Sequence, residues 1–360
     1  MTGRFDTGFH PDYAIAPGET LRDKLAEIGM SQADLADRAN LSPKHVNQII
    51  HGTAPITHDT ALAFERITGM PAKIWNALEA AYRDALARQA QRELAAEDRA
   101  WLNQLPIAEL RAKGLLPKDR DEGTTFEALL NFFGVADRRA WERIWLQPIA
   151  SFKRTRAFRS EPGAVAAWLR AGQLQALDVQ CRPFDAAAFR KVVRAARSLT
   201  RQVDFGEQLR VLCASTGVAV VYVPEVGKCR ASGAAQWASS TKAIIQVSDR
   251  YKRSDSFWFA FFHEAAHILH HSKKETFIND GSEDDVVEAE ANHFARTTLI
   301  PAEFEPDLEN LSSAADVVAF AERIGIHPGI VAGRLANDGI AQWTWPKVGR
   351  LRSSLRIVDA

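Results

Sequence analysis

The segment Phe257-Trp-Phe-Ala-Phe-Phe-His-Glu-Ala-Ala-His-Ile-Leu269 constrains this chain more than any other. It is apolar nearly all the way round a helix, and such a helix lies inside a protein with other elements packed about it. Yet it carries His263, Glu264 and His267. Buried polar and charged groups are costly unless they are partnered, so the fold has to bring a partner to them. His263 and His267 stand at i and i+4, one turn apart on one helical face, where two imidazoles can share one zinc ion. Glu264, one position round, is placed to take a proton from a water molecule. The bland alternative is a hydrogen-bonded pair of core histidines. The apolar surroundings disfavour it, because they offer no other partner.

A third ligand has to come from another element. The segment Asp284-Asp-Val-Val-Glu-Ala-Glu-Ala-Asn-His-Phe-Ala295 supplies candidates. Glu288 and Asn292 are i,i+4 neighbours on one face. Glu288 can ligate the ion while Asn292 hydrogen-bonds a ligand histidine. Glu290 points elsewhere and is the second choice for third ligand, so the alternative stays open. Gluzincin-type peptidases use E-x-x-x-D at such a place, and Asn292 stands where the aspartate would be. His270, His271 and His293 read as flanking residues. Tyr251 or Arg250, just before the motif, is the candidate donor to an oxyanion.

A second pattern lies near the N-terminus, over Ser31–Gly52. Ser31 and Ser42 are good N-caps, and Pro43 sits where its missing N–H costs nothing. Asn40 tolerates the left-handed conformation that ends a helix. Leu35, Ala36, Leu41, Val46 and Ile49 recur at helical spacing and would pack two short helices together. Lys44, Asn47 and Gln48 are then left on the outer face of the second helix. Such side chains can hydrogen-bond base edges, and a helix fits the major groove of double-stranded DNA.

Both patterns sit within words that resemble known families. Gly18-Glu-Thr-Leu-Arg-Asp-Lys-Leu, Gly29-Met-Ser-Gln-Ala-Asp-Leu-Ala, Asn47-Gln-Ile-Ile-His-Gly and Pro55-Ile-Thr-His-Asp-Thr-Ala-Leu resemble the HigA-like, XRE (Cro/repressor-type) helix-turn-helix family. The resemblance implies that Pro43, Lys44 and Gln48 face bases of an operator, with Gln32 and Ser42 near phosphate. Gly217-Val-Ala-Val-Val-Tyr-Val-Pro, Ser232-Gly-Ala-Ala-Gln-Trp, the histidine segment, Glu288-Ala-Glu-Ala-Asn-His-Phe-Ala and Leu299-Ile-Pro301 resemble the ImmA/IrrE family of metallopeptidases. That resemblance implies a small mixed sheet against the motif helix, one zinc, and endopeptidase action on regulatory proteins such as repressors.

The expected architecture is mainly α with a small mixed β-sheet (α+β). An N-terminal all-α helix-turn-helix domain and a helical middle precede a gluzincin-like metallopeptidase domain. The expected boundaries are a tail over 1–17, the DNA-binding domain over 18–90, a helical linker over 91–184, the peptidase domain over 185–345 and a tail over 346–360. Strands are expected at Val218–Val223, Gly233–Trp237 and Ala243–Val247. The Ala/Glu/Arg-rich run from Ile74 to Asn103 is expected to form one long helix.

Charge adds one constraint. The chain has 45 basic and 45 acidic side chains, which excludes a polycation. The zero hides segregation: 11 against 14 over 1–100, 17 against 10 over 101–200, and 17 against 21 over 201–360. The DNA-binding segment is therefore not basic, and operator binding calls for a homodimer, the basic middle, or both. In that middle, Arg138, Arg139, Arg143, Lys153, Arg154, Arg156 and Arg159 alternate with Trp141, Trp145, Phe152 and Phe158. The preferred reading of 138–159 is a helical spacer with core aromatics; the alternative is a nucleic-acid contact by charge and stacking. Residues 319–335 echo 34–50, with Gly329, Ala332 and Gly333 where the base-reading side chains stood. That points to a structural element rather than a second DNA reader. Three cysteines without C-x-x-C spacing argue against a disulfide scaffold. The absence of a long apolar run argues against a membrane span, and the N-terminus lacks a signal-peptide core, so a cytoplasmic protein is expected.

Two functions fit. One is a DNA-binding zinc metallo-endopeptidase that cleaves a partner of repressor or toxin type. The other is an antitoxin-like transcriptional regulator whose peptidase fold is a sensing or docking module with little or no catalysis.

Overall fold

The computed structural model describes residues 15–91, 95–147, 160–250, 252–273, 275–279, 286–340 and 349–354. The chain divides into two units: 1–95 with 122–124, and 96–121 with 125–360.

Among the described residues the first unit holds α1 (Pro17–Glu27), α2 (Gln32–Ala39), α3 (Pro43–Ile50), α4 (His58–Thr68) and α5 (Ala72–Gln91). The helix ends follow the caps. Ser31 and Asp34 form a reciprocal capping box at the start of α2, and Asn40 closes it with a φ of 53°. Ser42 Oγ accepts from His45 N–H at 3.1 Å, with Pro43 opening α3. Leu21, Leu35, Ala36, Val46, Ile49, Phe64 and Trp75 are buried together. Phe64 meets Trp75 edge-on at 5.7 Å. At Gly18, α1 lies against the backbone of Ile50, leaving no room for a side chain.

The run expected as one helix over 74–103 is two. α5 ends at Gln91, and a separate helix spans Ala96–Leu102 in the other unit. The composition favours helix throughout, but Trp101 is drawn into an aromatic core with Phe126, Phe133 and Trp141, with ring centroids 5.5–6.4 Å apart. Tertiary packing overrides propensity here.

The second unit is built on a four-stranded sheet in the order β1-β3-β2-β4: β1 (Val218–Tyr222), β2 (Gly233–Ser239), β3 (Lys242–Val247) and β4 (Phe277–Asn279). β1 and β3 are parallel, and the other two pairs are antiparallel. β4 was not expected from the sequence, since three residues give no alternation to read. The sheet's alternate residues face two ways. Val218, Val220, Tyr222, Ala235, Ala243, Ile245 and Val247 join the large core with Phe257, Trp258, Phe261 and Phe262 of the motif helix, Ser254–His270. The opposite face meets the helix Pro162–Asp178. There Gln246 Nε2 donates to Trp168 O at 2.8 Å, Trp168 Nε1 to Val223 O at 3.0 Å, and Gln173 Nε2 to Gln236 Oε1 at 2.9 Å. The motif helix is thus an inner layer, as its apolar surface requires.

Two further elements brace it. The helix Val286–Leu299 runs beside it, bringing the fully buried Ala291 and Ala295, one turn apart. Part of the expected C-terminal tail is docked instead of free. Arg352 grips the buried Asp255 at 2.7–2.8 Å, and Ser254 N–H donates to Ser353 O at 3.1 Å. The repeat-like segment forms helices Ala314–Ile324 and Pro328–Asn337, separated by left-handed Gly325. Gly329 and Ala332 are buried, and Gly333 faces Asp255, so this pair is part of the core.

Candidate metal centre and DNA-reading surface

The motif helix presents His263 and His267 toward the helix Val286–Leu299. Both rings are buried, and their Nε2 atoms lie 3.1 Å apart. Glu288 closes the group: Oε2 is 3.0 Å from His263 Nε2, and Oε1 is 3.4 Å from His267 Nε2. The three ligating atoms lie within 4.8 Å of one another. Glu288 is therefore the glutamate beside both histidines. Glu290 is not, since its Oε2 lies on His271 Nε2 at 3.2 Å.

The arrangement fits a divalent cation. Two nitrogen ligands on a tetrahedral ion are about 3.3 Å apart, given metal–nitrogen bonds of about 2.0–2.1 Å. Two imidazole nitrogens facing each other at 3.1 Å, with a carboxylate beside both, share either a proton or a cation, and a cation satisfies all three groups at once. Burial pushes the His267 imidazolium down to about 2, with His263 and His271 adding to the shift, so the ring is held neutral as a metal ligand must be. Asn292 Oδ1 accepts from His263 Nδ1–H at 2.9 Å, which leaves the neutral ring's Nε2 free of a hydrogen on the side of His267 and Glu288, as a ligand nitrogen would need. Phe277 on β4 stacks on the His267 ring, with centroids 4.2 Å apart and planes 11° from parallel.

Glu264 lies one position round, fully buried. Among the described residues neither of its carboxylate oxygens has a hydrogen-bond partner. Burial, followed by the charge of Glu288, raises its carboxyl well above the usual range. It sits under Gly233 of β2, where an added Cβ would be 2.5 Å from Glu264 Oε1. A carboxylate held this way is equipped to take up a proton and give it back.

The flanking histidines separate. His293 is exposed, and His270 packs against Phe294 at 5.4 Å. His271 is no bystander: its Nδ1 lies 2.9 Å from His267 Nδ1. Helical spacing does not signal this contact, because His271 is the C-cap, in extended conformation. Arg250 is half-buried at the end of the connection from β3, and Tyr251 lies outside the described residues.

On the first unit, Gln32, Ser42, Pro43, Lys44 and Asn47 are exposed and Gln48 is half-buried, at the start of α2 and along α3. In the basic middle, Trp141 and Trp145 are buried at 1% and 7% exposure, so neither can stack on a base. Arg138 is engaged by Asp98 at 3.2 Å and by Glu142. The alternative of a stacking platform fails at these residues because their rings fill the core. Residues 148–159 of the block lie outside the described residues.

Comparison with known proteins agrees with this division. Residues 217–336 match the Peptidase_M78 family, described as an IrrE N-terminal-like domain, and residues 21–75 match a helix-turn-helix family. Virulence-associated protein I of Dichelobacter nodosus is 39% identical over 77 residues, 21% of this chain and 71% of that protein. Among solved structures, a HigA-family addiction module antidote protein from Coxiella burnetii is 30% identical. It covers 23% of this chain and 96% of its own, with a TM-score of 0.21. The Pseudomonas aeruginosa antitoxin HigA, solved with the higBA promoter, is 32% identical over 23% of this chain and 98% of its own, with a TM-score of 0.21. No described helix is long and apolar enough to cross a membrane. The chain belongs to the XRE-type helix-turn-helix family of DNA-binding regulators, and it joins to that domain an IrrE-like domain of metallopeptidase type.

Proposed function

We propose that this regulator is a zinc metallo-endopeptidase that hydrolyses a peptide bond in a partner protein of repressor or toxin–antitoxin type. The observation that carries the reading is Glu264: a fully buried carboxylate, without a hydrogen-bond partner among the described residues, beside a His-His-Glu group. A purely structural core has no use for such a group, because an unpartnered buried carboxylate is destabilising.

His263, His267 and Glu288 would hold the ion, and Asn292 would fix the tautomer of His263. When bound, zinc supplies Lewis acidity toward the scissile carbonyl and lowers the pKa of water. Glu264 takes the proton as the water oxygen bonds to the carbonyl carbon. It then delivers that proton to the leaving nitrogen as the C–N bond breaks. The apolar wall of Phe257–Leu269 keeps bulk water from competing for Glu264. Tyr251 or Arg250 is the proposed oxyanion donor.

On the first unit, Pro43, Lys44, Asn47 and Gln48 are the proposed base readers of a double-stranded operator, and Gln32 and Ser42 the phosphate contacts. Two copies of a weakly charged domain bind where one would not, so the working form is a homodimer.

One observation favours the non-catalytic alternative. Asn292 gives His263 a neutral partner where a carboxylate would strengthen the ligand. Glu264→Gln separates the two readings. Zinc content should be unchanged, and cleavage of the partner should fall about 10²–10⁴-fold, the usual worth of a general base. Regulation in cells that is unaltered by Glu264→Gln would leave the regulator without a peptidase role.

A further inference from the structure

His267 is supported differently from its partner ligand. His263 leans on the amide of Asn292 at 2.9 Å, with no onward link among the described residues. His267 leans on His271 at 2.9 Å, and His271 leans in turn on Glu290 at 3.2 Å. With His267 Nε2 as a ligand atom, the proton positions follow. His267 turns Nε2 toward Glu288 and His263, so that nitrogen carries the lone pair and Nδ1 carries the hydrogen. Nδ1–H therefore donates to His271 Nδ1. His271 then carries its own hydrogen on Nε2 and donates it to Glu290 Oε2.

We propose that His271 and Glu290 are positioning residues for metal binding: a relay that fixes the rotation and tautomer of His267 and ends on a carboxylate. This rests on His263, His267 and Glu288 being the ligand set. Phe277 sets the plane of the His267 ring by stacking, and the relay sets which edge of the ring faces the ion. The two ligands are thus held asymmetrically, one by a neutral amide and the other by a chain that carries negative charge. That charge offsets what the ligand set lacks at Asn292. His271 is itself largely buried, with its side chain 9% exposed, whereas the Glu290 side chain is 64% exposed. The inner member should therefore matter more than the outer one.

The test uses the full chain and two readouts: zinc affinity by competition with a chromophoric chelator, and the visible bands of the cobalt-substituted protein. His271→Phe should weaken zinc binding about 10- to 100-fold, and Glu290→Gln about 3- to 10-fold. Both should shift the cobalt bands. His271→Gln, whose amide can accept from His267 and donate to Glu290, should recover most of the affinity. Glu290→Gln alters an exposed side chain, so it tests the relay even if His271→Phe folds poorly; unfolding of the metal-free forms is the control. Wild-type affinity and unshifted cobalt bands in Glu290→Gln and His271→Phe would overturn the relay. His263→Ala tells the two levels apart. If it loses zinc while the relay variants do not, only the relay falls. If it binds zinc as the wild type does, the ligand set falls, and the relay with it.

Discussion

Asn292 shows how much rests on single atoms at this centre. Its Oδ1 accepts from His263 Nδ1–H at 2.9 Å and so decides which nitrogen faces Glu288. Asn292→Ala should lower zinc affinity about 10- to 100-fold, and Asn292→Asp, which adds charge at the same place, should raise it above wild type. Chelator competition checks both. A carboxamide that only fills space would give no rise with Asp. His263, His267 and the neighbouring Glu264 could be singled out from sequence, because spacing along one helix is local geometry that needs no tertiary information. His271 and Glu290 could not. Their meeting depends on a helix ending at His270 and on a second helix arriving alongside.

Among the elements, β2 bears on Glu264 through Gly233. Gly233 covers Glu264 so closely that a methyl group would displace the carboxylate. Gly233→Ala should leave zinc content near wild type and reduce hydrolysis at least tenfold, a loss on the scale of a misplaced general base. Metal analysis and single-turnover cleavage measured together would reveal it; loss of both zinc and activity would instead mean that the sheet had deformed. In the first unit the caps do comparable work. Ser42→Ala removes the side-chain acceptor for His45 N–H and should cost about 1 kcal/mol, read by denaturant unfolding of that unit. Capping residues made these helix ends predictable, since a cap is written in one or two adjacent residues. The break after α5 was not predictable. Ala95 is a good helix former and still lies outside a helix, while Trp101 is claimed by a core assembled from residues 25 to 40 positions away.

At the scale of the molecule, the described residues of each unit have hydrophobic cores of their own: one around Leu35, Val46 and Trp75 in the first unit, and in the second one around Trp258, Phe261 and the sheet beside the aromatic core of Trp101 and Trp141. Separate cores predict separate responses. Zinc should raise the unfolding temperature of one calorimetric transition and leave the other unmoved, since a ligand stabilises only the unit that binds it. A single transition shifting as a whole would show the units to be cooperative. Lys44→Ala with Gln48→Ala should abolish a promoter-specific gel shift and leave zinc content unaltered; undiminished binding would remove α3 from the operator. The charge balance sharpens this test. With 45 basic and 45 acidic side chains, non-specific phosphate attraction is small, and loss of base contacts has little to hide behind.

What the sequence determined by itself were the features whose physics is local: two capped helices with a polar outer edge, and a buried helix that carries two histidines and a glutamate at metal-binding spacing. The tertiary structure decided which of two glutamates stands beside both histidines, and that a three-residue strand stacks Phe277 on His267. It also turned the stretch around Arg352 from tail into brace, and closed the aromatics at 141 and 145 into a core. These outcomes depend on contacts between residues far apart in the chain. No pattern in a single segment encodes such contacts, because their free energy exists only once the segments have met.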